Sequence, residues 1–129
     1  TLEKNIMVTG KKMTVIDYKK SFDQALKVMN QKKLGILVIT KNKYIEGIIT
    51  DGDLRRVLDN SSKEKKLHKI IRHFPLVINE STPASKALGI MNEKKITSLL
   101  VVADKNYKNK NRTLKGIIHI HFLLQNGIK

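Results

Sequence analysis

The stretch Gly47-Ile-Ile-Thr-Asp-Gly-Asp-Leu-Arg-Arg56 decides the fold. Gly47, Ile48 and Ile49 carry strand character into Thr50; Asp51 and Gly52 turn the chain; Asp53, Leu54, Arg55 and Arg56 open a helix. A related stretch returns as Gly116-Ile-Ile-His-Ile-His-Phe-Leu-Leu124. Upstream of both, a shift of about 62 residues sets Ile16 on Ile78, Ala25-Leu26 on Ala87-Leu88, Met29-Asn30 on Met91-Asn92 and Leu37 on Leu99. The chain is therefore two copies of one unit.

Each copy reads β-α-β-β-α, a mixed α/β (α+β) pattern. In the first, Val15-Ile16 is a brief strand. Ser21 starts a helix, because its hydroxyl can take an orphan backbone N–H and Gln24 can reciprocate. Phe22, Ala25, Leu26 and Met29 then share one helical face. Ile36-Leu-Val-Ile39 is a continuous apolar run, as expected of a strand buried on both faces. Lys41-Asn-Lys43 is a turn, so Tyr44 to Ile49 should pair antiparallel with it. A helix follows from Asp51 to Leu58. Leu67, Ile70 and Ile71 predict a short amphipathic helix that ends before Pro75.

In the second copy, Leu76-Val-Ile78 is the first strand, Thr82 the expected N-cap and Pro83 the first helical residue. Leu99-Leu-Val-Val102 repeats the buried strand. Asp104 to Thr113 is expected to be a solvated hairpin tip, Leu114 to Ile120 the last strand, and Phe122 to Gln125 a short helix closed by Asn126-Gly127. The linear partition is 1–60 for the first repeat with its lead-in, 61–75 for a linker and 76–129 for the second repeat. One copy leaves a sheet face bare. Two copies are expected to cover it by packing about a pseudo-two-fold axis, with a polar cleft at the seam.

A chain of 129 residues with 40% apolar content can bury a real core. It has no cysteine, hence no disulfide and no thiolate chemistry, and no apolar run approaches the ~20 residues of a membrane span. A cytoplasmic setting without membrane attachment is the expectation. Thr1-Leu-Glu-Lys-Asn5 is polar and lacks an initiator Met, so the chain is expected to be a piece or processed product of a longer protein. The net charge of +15 is spread along the chain and is nearly all lysine; Arg55, Arg56, Arg72 and Arg112 are the only arginines, and aromatics are 5%. Nucleic-acid readers favour clustered arginine and stacking aromatics, so this distribution argues against nucleic acid. An attraction for phosphorylated small molecules survives.

The pattern resembles a tandem CBS domain. More closely, Lys33-Leu-Gly35, Ile45-Glu-Gly-Ile-Ile-Thr-Asp-Gly-Asp-Leu-Arg-Arg56, Ile96-Thr-Ser98 and Gly116-Ile-Ile-His-Ile-His121 resemble the C-terminal CBS pair of the bacterial D-arabinose 5-phosphate isomerases. The resemblance covers essentially the whole chain. It implies that catalysis, an aldose–ketose isomerisation on the route to Kdo in lipopolysaccharide and capsules, belongs to an N-terminal sugar-isomerase (SIS) domain. The chain itself is then not catalytic and requires no cofactor. Its implied ligand is a nucleotide, with CMP-Kdo as the natural feedback candidate, and its implied assembly is a homodimer.

Thr50-x-x-Asp53 matches the ribose motif of the family, which implies that Asp53 accepts from ribose hydroxyls and Thr50 contacts ligand oxygens. An ionised carboxylate can accept two O–H donors from a diol. The same four residues also spell a helix cap, with Thr50 as N-cap and Asp53 reciprocating, and both readings can hold together. Arg55 and Arg56 can neutralise a phosphate or carboxylate, or can simply form a solvated helix face. Gly35 and Thr97 stand at equivalent strand starts, where a small residue lets a base approach or simply makes a tight turn. His119 stands in the place of Thr50, and Phe122 in the place of Asp53, where the family usually has Asp; Phe accepts no ribose hydrogen bond, so one full-quality site is expected, around Asp53. His119 and His121 are expected to alternate along a strand and face one way. A zinc site would want four ligands, and His68 and His73 have no fixed spacing to that pair.

A nucleotide sensor is thus the first expectation. A ligand-free dimerisation module is the second, favoured by Phe122. A basic nucleic-acid-binding domain is the third.

Overall fold

The computed structural model describes residues 6–59, 67–103 and 111–129. The expected linker over 60–66 and most of the expected hairpin tip, 104–110, lie outside the described residues. The chain divides into two compact units. One is Thr14–Pro75; the other joins Leu76–Lys129 to the lead-in ending at Met13.

The unit Thr14–Pro75 runs β1 (Val15–Asp17), α1 (Phe22–Lys32), β2 (Ile36–Lys41), β3 (Tyr44–Thr50), α2 (Asp51–Asp59), α3 (Leu67–Ile70) and β4 (Arg72–His73). Its sheet has the order β1-β2-β3-β4, with β1 parallel to β2 and the other pairs antiparallel. The Ser21 capping box forms: Gln24 N–H donates to Ser21 Oγ at 3.2 Å and Ser21 N–H to Gln24 Oε1 at 2.9 Å. Asn42 and Lys43 join β2 to β3 with φ of 52° and 72°. Two left-handed residues give a two-residue loop the twist its strands need. All four residues Ile36 to Ile39 are buried, as the apolar run predicts. Phe22, Ala25 and Met29 of α1 pack with Leu37, Ile39, Ile49, Leu54 and Leu67 into one core.

The second unit runs β5 (Val77–Asn79), α4 (Ala84–Lys94), β6 (Ser98–Val102), β7 (Leu114–His119) and α5 (Ile120–Gln125), with sheet order β5-β6-β7. Its core holds Ile78, Ala87, Leu88, Met91, Leu99, Val101, Ile118 and Leu123, joined by Ile6 and Met7. Thr82 does not cap α4. The Asn79 Oδ1 takes the hydroxyls of Thr82 at 2.8 Å and Ser81 at 3.0 Å, and extended Pro83 stands at the N-cap without a side-chain bond. The last strand stops at His119, one residue before the expected Ile120, because α5 already begins there.

The lead-in runs with the second repeat rather than the first. Val8 bridges Ile117 antiparallel, with N–H···O bonds of 2.7 and 2.9 Å in the two directions. Residues 71–73, placed above in the linker, likewise run with the first repeat: Arg72 pairs with Ile48 and His73 with Gly47. The two segments are counterparts. Arg72 stands to Ile48 as Val8 stands to Ile117, and glycine makes room at both crossings. A Cβ on Gly47 would strike Ile71 and the Arg72 carbonyl; one on Gly116 would strike Met7. Each repeat is thus joined at its sheet edge by chain that lies outside its own β-α-β-β-α pattern, which periodicity within one repeat cannot reveal.

Candidate functional site

The junction of β3 and α2 is built around Thr50 and Asp53. Asp53 N–H donates to Thr50 Oγ1 at 3.2 Å, and Thr50 N–H donates to Asp53 Oδ2 at 3.0 Å. The capping arrangement is therefore realised, satisfying backbone donors that the first helical turn would otherwise leave orphaned. Asp53 is 6% exposed, one of two buried polar residues among those described. A buried carboxylate needs compensation. Arg72 supplies it from β4: Nε donates to both carboxylate oxygens at 3.0 Å, and Nη2 to Oδ1 at 2.7 Å. Arg56, one helical turn on, donates Nη2 to the same Oδ1.

Burial pushes the Asp53 carboxyl up, but the Arg72 hydrogen bond, the two Thr50 bonds and the Arg72 charge together pull it down further, leaving it below the ordinary 3.8. Asp53, as the acceptor of those bonds, in turn pushes the Arg72 guanidinium up through the hydrogen bond and its charge. The Arg56 and Arg72 side chains remain 61% and 57% exposed. A sunken anion is thus faced by two cations open to solvent, an arrangement that holds charge-bearing ligands well.

The structure brings Thr50, Asp53 and Arg56 together, and Arg55 is exposed on the same helix. Arg72 belongs to no motif or spacing that points to this site; its one signal in the sequence is its rarity, one arginine among four, directly after the apolar positions Ile70 and Ile71. Gly35 has φ of 75°, and its carbonyl accepts the Asp51 N–H at 3.2 Å. A Cβ there would sit 3.5 Å from Asp51 Oδ2, an ordinary contact, so the left-handed backbone, not crowding, calls for glycine. Thr97 is exposed, and its carbonyl accepts the Ile120 N–H at 2.8 Å, the same junction bond in the second unit.

The histidines do not alternate along a strand. His119 ends β7, whereas His121 lies in α5. The helix starts inside the motif because His119 Nδ1 accepts the His121 N–H at 3.2 Å and so acts as N-cap. Their rings nevertheless stack, with centroids 4.8 Å apart, and Phe122 meets His119 edge-on at 6.2 Å. Burial, then the neighbouring His121 charge, holds His119 below the ordinary 6.5. Among the described residues no three His, Cys, Asp or Glu side chains gather as a metal site. The side chain of His68 lies outside the described residues.

The CBS domain model matches residues 4–60 and 67–121. An uncharacterized protein of Rickettsia prowazekii is 36% identical over 97% of this chain and 37% of its own length. The arabinose 5-phosphate isomerase KdsD of Escherichia coli K12 is 35% identical over 96% of this chain and 37% of its own. The chain therefore spans a little over a third of the length of these relatives. Among solved structures, CBSX2 of Arabidopsis thaliana, in complex with AMP, superposes with a TM-score of 0.78 at 23% identity, covering 94% of this chain and 91% of that one.

Proposed function

The chain belongs to the CBS domain family, as a tandem pair, and from that premise we propose that it is the nucleotide-sensing regulatory part of an arabinose 5-phosphate isomerase. The observation that carries this reading is the buried Asp53 carboxylate at a strand-to-helix junction, flanked by the half-exposed guanidiniums of Arg56 and Arg72. The carboxylate suits a sugar diol and the cations suit a phosphate. CBSX2 in its AMP complex has the same fold, and the relationship to KdsD supports a sugar-isomerase (SIS) domain as the partner in the parent protein. In that setting CMP-Kdo, the activated end product, is the proposed ligand, the assembly a homodimer and the setting the cytoplasm. Thr50 and Asp53 would hold the ligand with Arg56 and Arg55; Gly35, Thr97, His119 and His121 are secondary candidates. The ligand can bias the isomerase only by its differential affinity for the two states.

A ligand-free dimerisation module is the second reading. It is favoured by the full set of protein partners on Asp53 and by Phe122 in the equivalent place. Thermal-shift and calorimetric titration of the 129-residue chain with AMP, CMP and CMP-Kdo separates the two. Ligand at a hundred times its Kd adds about 2.7 kcal/mol. Stabilisation by at least one nucleotide, lost in Asp53→Asn, is expected. A folded chain that responds to none, with sedimentation giving a stable dimer, selects the scaffold.

A further inference from the structure

We propose that Arg72 is the specificity-determining residue of the Asp53 site. Its guanidinium covers the carboxylate edge that a ligand diol needs, so the site opens only to a ligand whose own anionic group draws Arg72 away. The inference rests on the nucleotide reading above.

The acceptor inventory of Asp53 is already filled. A carboxylate offers about four lone-pair directions. Oδ2 receives the Thr50 N–H and Arg72 Nε; Oδ1 receives Arg72 Nε and Nη2 together with Arg56 Nη2. A diol can therefore bind only by displacing a donor. The Thr50 bond belongs to the helix cap, and Arg56 supplies a single bond to Oδ1, so its departure alone would leave Arg72 on both oxygens. Arg72 is therefore the donor whose departure uncovers both oxygens for a diol. It makes three of the contacts, reaches in from a two-residue edge strand, and its side chain is 57% exposed.

Charge then decides what can displace it. A neutral diol would replace an ionic partner with two hydroxyls and leave the Arg72 cation without a counter-ion. A phosphate or carboxylate beside the diol gives the departing guanidinium a new bidentate partner. The site should accordingly take nucleotides or sugar acids and refuse the corresponding nucleosides.

The second repeat supplies an internal comparison. Phe122 stands in the place of Asp53, and Val8, bridged to Ile117, stands in the place of Arg72. An apolar residue is thus sufficient to close the sheet edge. The arginine is found only where the carboxylate is found, so it serves the carboxylate and not the edge.

The test is calorimetric titration of the 129-residue chain with AMP against adenosine and CMP against cytidine, in wild type, Arg72→Ala and Arg72→Gln, with circular dichroism to confirm folding. Wild type should prefer the nucleotide. Loss of the guanidinium should raise nucleoside affinity about tenfold and collapse the preference. In parallel, the Arg72 Nε–H resonance of the wild type should be protected from solvent exchange without ligand and should move on saturation with nucleotide. If nucleotide binds while that resonance stays unchanged, or if both variants lose nucleotide without gaining nucleoside, the Arg72 role is overturned and nucleotide sensing stands. If neither wild type nor variants bind any of the four, nucleotide sensing fails and the Arg72 role with it.

Discussion

Replacing Gly47 with alanine tests whether β4 is held against β3 as closely as the fold requires. The added Cβ would lie 2.5 Å from the Arg72 carbonyl oxygen and 3.2 Å from its carbon, besides meeting Ile71. Ordinary contact begins near 3.4 Å, so the Arg72 backbone must retreat by roughly an ångström, against its pairing with Ile48. Overpacking against backbone, which cannot change rotamer, falls in the upper half of the usual range, about 2–3 kcal/mol, and alanine returns about 0.4–1 kcal/mol by restricting the unfolded chain, leaving a net loss of about 1–2.5 kcal/mol. Gly116→Ala is the matched control. There the Cβ meets Met7 Sδ at 2.5 Å and the Val8 carbonyl at a milder 3.3 Å. A thioether can change rotamer where a carbonyl cannot, so the net loss should stay below about 1 kcal/mol. Urea unfolding reads both, and with a slope near 2 kcal/mol/M the Gly47 variant should drop its midpoint by about 0.5–1.2 M. An unchanged midpoint for Gly47→Ala, or a larger loss for Gly116→Ala, would refute the reasoning that backbone crowding at β4 is the stiffer of the two crossings.

Asp53→Asn keeps the shape of the side chain and removes its charge; it should destabilise the chain by about 2 kcal/mol at pH 7, measured by urea unfolding. Because the folded carboxyl is held below 3.8, its contribution is present above that value and disappears as pH falls through the lower folded value. Wild type should therefore lose more stability than Asp53→Asn on acidification from pH 6 to 3, and parallel curves would contradict the ionic pairing. His119 is also held below its ordinary 6.5, so its contribution is present above 6.5 and is lost as pH falls through the folded value. His119→Asn retains a capping oxygen without the titration, and it should flatten the pH 5–7 limb of a thermal-melt series while keeping the pH 7 Tm within a few degrees. An Asn variant that still follows the wild-type limb would assign that dependence elsewhere.

The legible part of this protein is the part that is local in sequence. Ser21 with Gln24, and Thr50 with Asp53, lie three apart, so their capping boxes can be read from residue type and spacing. The buried strands Ile36–Ile39 and Leu99–Val102 announce themselves by unbroken apolar runs. Local rules also misjudge where two local options compete. Thr82 looks like an N-cap until Asn79 captures its hydroxyl, and His119-Ile-His121 looks like strand until the first histidine caps a helix within the motif.

What the sequence hid is the pairing of Asp53 with Arg72, nineteen positions apart. No periodicity links them, because β4 is not an element of the repeated β-α-β-β-α pattern and yet pairs with β3. The same displacement hides Val8, which lies far upstream of Ile117. Once the two crossings are recognised as equivalent, the departure at Phe122 takes on a different meaning. Read alone, it is a carboxylate lost from a binding motif. Beside Val8, it is half of a paired difference, in which an acid and its arginine in one unit correspond to two apolar side chains in the other. A buried carboxylate without its cation is destabilising, whereas an apolar residue in its place is not. The two differences therefore belong together: an acid rebuilt at the half-buried Phe122 position without an arginine at Val8 would lack the cation that Arg72 gives Asp53, and would not restore a site.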